Sequence, residues 1–237
     1  MDAGRRAPRR DLAAQRGGVV RPRFRLVVFD WDGTLIDSTA AIVHAIRASA
    51  ADLGLPVPSR QQASHVIGLG LFEAIRNAVP VIDREQMPAY VERYRHHYLR
   101  RDAELEPFEG VPELLTELAD SGAWLAVATG KSRIGLNRAL DHMGWTGRFL
   151  TTRCADEGAP KPDPWMLRDI CDELGLQASD ALMVGDTTHD LGMASAAGAA
   201  AIAVTYGAHP RAALEGQQAL AIVDSVAELR EALLARV

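Results

Sequence analysis

The chain has 237 residues, 48% of them apolar and 24% charged, which suits a globular protein that buries a full core as one large domain or as one with an insert. No apolar run approaches the ~18 residues of a membrane span, and residues 1–20 are too arginine-rich for a secretory leader, so a cytoplasmic protein without membrane attachment is expected. The formal charge of −5 divides into +6 over residues 1–25 and −11 over the rest, which argues against a nucleic-acid-binding body and fits one that holds a cation among carboxylates.

Residues 1–23 lack hydrophobic periodicity and contain Pro8, Gly17, Gly18 and Pro22, the pattern of a mobile tail. An RNA-contacting arm and an organelle presequence are its functional readings, and a solvated extension is the favoured one. Residues 25–38, RLVVFDWDGTLIDS, then place an apolar run before Asp30 and Asp32 and a Gly-Thr turn. Such a run predicts a buried strand of a parallel sheet, whose carboxyl end is where these folds place chemistry. The two acids are either turn formers or a functional pair: side chains two apart on a strand share a face, so they can hold one metal ion or divide nucleophile and acid roles.

Ser38 is expected to cap a helix running to about residue 53, with Ile42, Ile46, Ser49 and Leu53 near one face and Gly54 beyond its end. After Pro56 and Pro58, Ser59 starts a second helix, Gly68-Leu69-Gly70 interrupts it, and a third covers 72–79. Asp83 is expected to cap a fourth, bearing Met87, Tyr90, Val91, Tyr94 and Tyr98. Residues 40–105 thus form an all-helical insert. Beyond Pro107 a helix opens with Pro112 in its first turn. Strands at 124–128, 149–151, 181–184 and 200–205 alternate with helices at 134–143, 165–174 and 189–197, and the tail from Ala219 supplies a short strand and a helix over 226–234. Alternation of this kind predicts an α/β fold with a doubly wound parallel sheet, its core formed by residues 24–39 and 106–237.

Three of these strands end in polar residues: Asp30 with Asp32, Thr129-Gly130-Lys131, and Asp186 followed by Asp190. In a parallel sheet those ends share one edge, and Lys161 joins them from a loop bounded by Pro160 and Pro162. Clustered carboxylates require compensating charge, and oxygen-only ligands point to Mg2+ rather than zinc. Cys154 and Cys171 show no metal-ligand spacing and are expected as reduced thiols. Lysine occurs only at Lys131 and Lys161, which singles out both.

FDWDGTLIDS, VATGKS, PKPDP and VGDTTHD, in that order, resemble the four motifs of the haloacid dehalogenase-like (HAD) superfamily over residues 24–237. The helical insert resembles the cap of the subgroup containing phosphoglycolate phosphatase. The resemblance implies a Rossmann-like core with that cap after the first strand, and a Mg2+-dependent phosphatase acting on a small phosphorylated metabolite. In its terms Asp30 is the nucleophile and Asp32 the general acid and base. Asp30, Asp186 and the backbone carbonyl of Asp32 are the metal ligands, Thr129, Gly130 and Lys161 bind the phosphoryl group, and Asp190 orients Lys161 or metal-bound water. Residues 68–72 are the candidate specificity loop; contacts of Lys131 and His189 with substrate are left open, as is the choice between monomer and homodimer.

Two other motifs fail: Leu125 stands where a P-loop needs glycine, and Gly68-Leu69-Gly70 lacks the rest of a dinucleotide fingerprint. Asp32 favours phosphoryl transfer over dehalogenation, and the absence of lysine from residues 40–105 disfavours a Schiff-base relative. Sugar-phosphate and nucleotide phosphatases, a phosphomutase and a non-catalytic binding protein on the same scaffold are the alternatives carried forward.

Overall fold

A computed structural model describes residues 24–237, and the tail of residues 1–23 lies outside the described residues. β1 (Leu26–Phe29) is buried along its whole length. Its side chains alternate: Val27 and Phe29 enter one apolar cluster, Leu26 and Val28 another, so the strand needs apolar residues on both faces. Full burial of such side chains stabilises by roughly 1.5–3 kcal/mol each. β1 pairs in parallel with β2 (Trp124–Thr129) on one side and β4 (Ala181–Gly185) on the other. With β3 (Thr151–Cys154), β5 (Ala200–Val204) and β6 (Ala221–Val223) they form a six-stranded parallel sheet in the order β3-β2-β1-β4-β5-β6. The chain order reverses between β1 and β4, the switch point at which such sheets open a crevice.

Helices cover both faces. α5 (Val111–Asp120) and α10 (Val226–Leu234) bury Leu114, Leu115, Leu118, Leu229 and Leu233 on one, with α6 (Arg133–His142) adding Leu136 and Ala139. Trp31 closes that cluster by edge contacts with Trp145 and Phe149 at 5.7 and 6.4 Å. α7 (Trp165–Leu174), α8 (Thr188–Ala197) and the short α9 (Arg211–Leu214) cover the other face, where Ala201 and Ala203 of β5 meet Met193 and Ala194 of α8.

Between β1 and β2 lie α1 (Thr39–Asp52), α2 (Arg60–His65), α3 (Leu71–Ala78) and α4 (Met87–Asp102). They bury a third cluster of their own, including Ile42, Ile46, Ile75, Tyr90 and Tyr98, and the Tyr90 hydroxyl donates to the Ile46 carbonyl at 2.6 Å. The two connections to the sheet run side by side: Ile36 bridges Pro107 in antiparallel fashion, Asp37 N–H donates to Glu106 O at 3.1 Å, and Phe108 N–H to Leu35 O at 3.1 Å. No helix among the described residues is long and apolar enough to cross a membrane.

Local expectations differ from the structure at four places. β3 starts at Thr151 rather than Phe149, because Phe149 turns into the aromatic cluster while the edge strand carries Arg153, paired with Asp169 and Glu173. α4 begins at Met87 rather than after Asp83. Asp83 and Gln86 instead exchange side-chain bonds across a preceding turn, at 2.8 and 3.2 Å, and Pro88 occupies the helix's first turn. Ser38 precedes α1 but makes no side-chain cap bond; its hydroxyl donates to Asp32 Oδ1 at 2.7 Å. The short α9 has no counterpart among the expected elements.

Candidate active site

The carboxyl ends of β1, β2 and β4, with the loop between β3 and α7 that carries Lys161, bring Asp30, Asp32, Thr129, Lys161, Asp186 and Asp190 into one region, all buried. Asp30 follows β1 directly. Its Oδ1 accepts the Trp31 N–H at 2.6 Å and lies 2.8 Å from Lys161 Nζ, whereas its Oδ2 is buried without a hydrogen bond. Asp186 follows β4 and is gripped on both oxygens, by the Thr34 hydroxyl at 2.8 Å and the Ala208 N–H at 2.7 Å. The backbone crowds this carboxylate: a Cβ on either Gly33 or Gly207 would overlap it.

Asp190 sits in the first turn of α8. Its Oδ2 accepts the Thr187 N–H at 3.0 Å and the Thr187 hydroxyl at 2.6 Å, and its Oδ1 lies 2.7 Å from Lys161 Nζ. Thr187 and Asp190 form a capping box, so the cap of α8 also aims the carboxylate at Lys161. Asp32 faces elsewhere. Its Oδ1 is held by the Ser38 hydroxyl and lies 3.0 Å from Lys131 Nζ, which also donates to the Tyr98 hydroxyl at 2.8 Å. Thr129 Oγ1 accepts the Lys131 N–H at 3.2 Å, which tightens the turn through Gly130.

The charges form two groups. Asp32 is balanced by Lys131, while Asp30, Asp186 and Asp190 share Lys161, so that with all three ionised two negative charges lack a cation among the described residues. Burial pushes the Asp30 carboxyl well above the usual carboxylate range, against the pull of Lys161, with Asp190 and Asp186 adding to the rise. Asp186 is pushed up to about 7, by burial first and then by Asp190, against the hydrogen bonds from Ala208 and Thr34. For Lys161, burial opposes the charge, but Asp190 and Asp30 outweigh it and its pKa rises.

One oxygen from each of Asp30, Asp186 and Asp190 lies within 4.8 Å of the others. An all-oxygen cluster two charges short of neutrality, with one carboxylate oxygen bare, fits a hard divalent cation. Asp30 keeps Oδ2 bare, and Asp186, though bonded on both oxygens, meets only neutral donors, whereas Asp190 engages one oxygen with Thr187 and the other with the Lys161 ammonium, so Asp30 and Asp186 are the better placed of the three to accept it.

The helical insert closes against this region. A Cβ on Gly130 would lie 2.6 Å from the Leu69 carbonyl oxygen and 2.7 Å from that of Gly68, so only glycine admits the loop. Gly68 faces Thr187, Gly70 faces Ala155 and Pro160, Leu69 is buried, and Phe72 at the expected loop's far end is 60% exposed. His189 reaches the insert, not the carboxylates: its Nε2 pairs with the His65 carbonyl at 3.0 Å. His209 makes the same contact at 3.0 Å while its Nδ1 accepts the Thr188 N–H, which sets the neutral Nε2–H form. Burial lowers the His209 pKa to about 4.

Several contributors carry no sequence signal of their own. Thr34 lies inside the opening motif but points at Asp186, far along the chain; Ala208 and His209 come from a loop without a motif; Tyr98 was one apolar position among several on its helix. Among the residues around Asp32, Lys131 stands out in the sequence by the scarcity of lysine.

A parallel α/β sheet that gathers carboxylates, two lysines and a threonine at its switch point belongs to the class of scaffolds presenting an acidic, cation-accepting centre at their strand ends. Residues 27–204 match the haloacid dehalogenase-like hydrolase family, and the chain belongs to it. It is 39% identical over 210 residues to a probable phosphatase, IndB, of Dickeya dadantii, covering 86% of this chain and 91% of that protein. It is 32% identical over 193 residues to a phosphoglycolate phosphatase of Agrobacterium fabrum, covering 79% and 83%. A crystal structure of a predicted phosphatase from Clostridium acetobutylicum superposes with a TM-score of 0.79 at 27% identity, covering 90% of this chain and 99% of that one.

Proposed function

We infer that the chain is a phosphoric monoester hydrolase that cleaves small phosphomonoesters through a phosphorylated Asp30, with a phosphoglycolate-like ester as the favoured substrate. One observation carries the reading: Asp30 is fully buried at the switch point beside Lys161, with one carboxylate oxygen bare. The families of the relatives above support it, one of them a phosphoglycolate phosphatase.

In this reading the Asp30 carboxylate attacks phosphorus, the bond from phosphorus to the ester oxygen breaks, and the departing alkoxide takes its proton from Asp32. Asp32 then removes a proton from water, the water oxygen attacks the phosphorus of phospho-Asp30, and the bond to the Asp30 oxygen breaks to release inorganic phosphate. Lys161 holds its charge between Asp30 and Asp190, where it faces the phosphoryl oxygens, and Thr129 with the Gly130 N–H binds those oxygens. Asp30, Asp186 and the Asp32 carbonyl would hold Mg2+, which would supply positive charge to the transferring group. Asp190 positions Lys161. Residues 40–105 act as a cap whose loop over Gly130 excludes water and must withdraw to admit substrate.

The test is turnover of phosphoglycolate, sugar phosphates and nucleoside monophosphates with Mg2+ by wild type and Asp30→Asn. Expected are metal-dependent release of phosphate by wild type and its loss in the variant. Full activity of Asp30→Asn, or wild-type turnover that survives exhaustive EDTA treatment, overturns the assignment.

A further inference from the structure

The reaction above requires one buried lysine near the transferring group, and Lys161 fills that place. Lys131, the chain's only other lysine, is largely buried and pairs with Asp32 rather than with Asp30 or Asp190. Its side chain is 10% exposed; its ammonium donates to the Tyr98 hydroxyl at 2.8 Å and forms an ion pair with Asp32 at 3.0 Å. Burial opposes this charge, yet Asp32 and then Tyr98 outweigh the effect and the lysine stays charged. Its two partners come from different parts of the fold: Asp32 follows β1, and Tyr98 lies on α4 of the helical insert, stacked on Tyr94.

Asp32, as the acid that protonates the ester oxygen, must lie beside the leaving group. A cation 3.0 Å from its carboxylate therefore faces the leaving group, just as Lys161, between Asp30 and Asp190, faces the phosphoryl group. We propose that Lys131 and Tyr98 form the leaving-group subsite and select phosphomonoesters whose leaving group carries an anion, such as a carboxylate, within reach of Lys131 Nζ. The inference rests on the phosphatase reading and adds to it the residues that select an anionic leaving group. Binding is then a sharing of Lys131 between Asp32 and the substrate anion, with the Tyr98 hydroxyl as second donor. Because Tyr98 belongs to the insert and Lys131 to the β2–α6 turn, the subsite is complete only when the insert lies against the sheet, as it does here.

The experiment compares kcat/KM for 2-phosphoglycolate and for 2-hydroxyethyl phosphate, which replaces the carboxylate by a neutral hydroxymethyl group, in wild type, Lys131→Met, Lys131→Arg and Tyr98→Phe with Mg2+. The ratio of the two cancels any effect of the substitution on Asp32, which both esters need. Wild type is expected to favour the anionic ester by roughly 10- to 100-fold, the range of one charge-assisted hydrogen bond. Lys131→Met is expected to bring the ratio within about threefold of unity, and Lys131→Arg to retain most of it. Tyr98→Phe is expected to raise KM for the anionic ester alone, and it carries the test should Lys131→Met fail to fold. A wild-type ratio near unity, or a ratio unchanged in both Lys131→Met and Tyr98→Phe, overturns the subsite while leaving the phosphatase reading intact. A wild type that hydrolyses no phosphomonoester overturns both.

Discussion

Lys161→Met keeps an unbranched apolar stem and removes the one cation shared by Asp30 and Asp190. In the wild type that ammonium lies 2.8 Å from one carboxylate and 2.7 Å from the other, in a side chain with no exposure. Breaking a buried ion pair by removing one partner costs about 3–5 kcal/mol, because the other charge is left without compensation. The two carboxylates do not suffer equally: Asp190 retains both bonds from Thr187, while Asp30 retains only the Trp31 N–H. Asp30 is therefore the group that takes up a proton. Its folded pKa is already raised by burial and loses the opposing pull of Lys161, so the folded variant binds a proton that the unfolded chain releases at ordinary carboxylate pH. Stability from such a raised group is present at low pH and is lost as pH rises towards the folded value. Urea denaturation in EDTA is thus expected to show the variant about 3–5 kcal/mol less stable at pH 8, and less penalised at pH 5 by about 1 kcal/mol or more. For a chain of this size the pH 8 deficit corresponds to a fall in Tm of roughly 6–20 °C. A penalty below about 1 kcal/mol at pH 8, or an equal penalty at the two pH values, would refute the claim that Lys161 is what holds these carboxylates together.

Two further outcomes follow from the same geometry. Metal-free protein is expected to lose stability as pH rises from about 4 to about 7, since the folded pKa of Asp186 stands near 7 and the unfolded chain releases that proton earlier. Saturating Mg2+ should flatten the slope, and a metal-free stability curve that is already flat over this interval refutes the uncompensated cluster. Gly130→Ala places a Cβ against the backbone oxygens of Gly68 and Leu69, so the loop must retreat. Faster amide exchange over residues 66–70 and at least a tenfold loss of kcat/KM are expected, and unchanged exchange there refutes the close approach.

The sheet was legible because β1, β2, β4 and β5 are short apolar runs ended by polar residues, a pattern set by burial on both faces. Edge strand β3 was harder to place, since Arg153 and its carboxylate partners are tertiary features with no local period. Asp30, Thr129, Lys161, Asp186 and Asp190 could be assembled on paper because parallel strands must share an edge. What could not be read were bonds between distant segments. Ser38 has the chemistry of a helix cap, and only the folded chain shows its hydroxyl drawn to Asp32. Thr34 and Ala208 close on Asp186 from opposite ends of the sequence, and Tyr98 reaches Lys131 from a helix whose pattern speaks only of its apolar face. The Thr187–Asp190 capping box is a readable spacing, but the direction in which it turns Asp190 is not.

The paired connections at Ile36 and Pro107 have a consequence for how such a chain can change. Because the outgoing and returning segments hydrogen-bond to each other, the ends of the helical excursion are fixed by the sheet's own margin and not by the helices between them. Closing that loop then depends little on its length, since loop entropy grows only logarithmically and the ends are already joined. The helices can be lengthened, shortened or resequenced while the strands and their carboxylates keep their register. In the proposed subsite Tyr98 is in this sense an exchangeable part, while Lys131 stays with the strands and carboxylates.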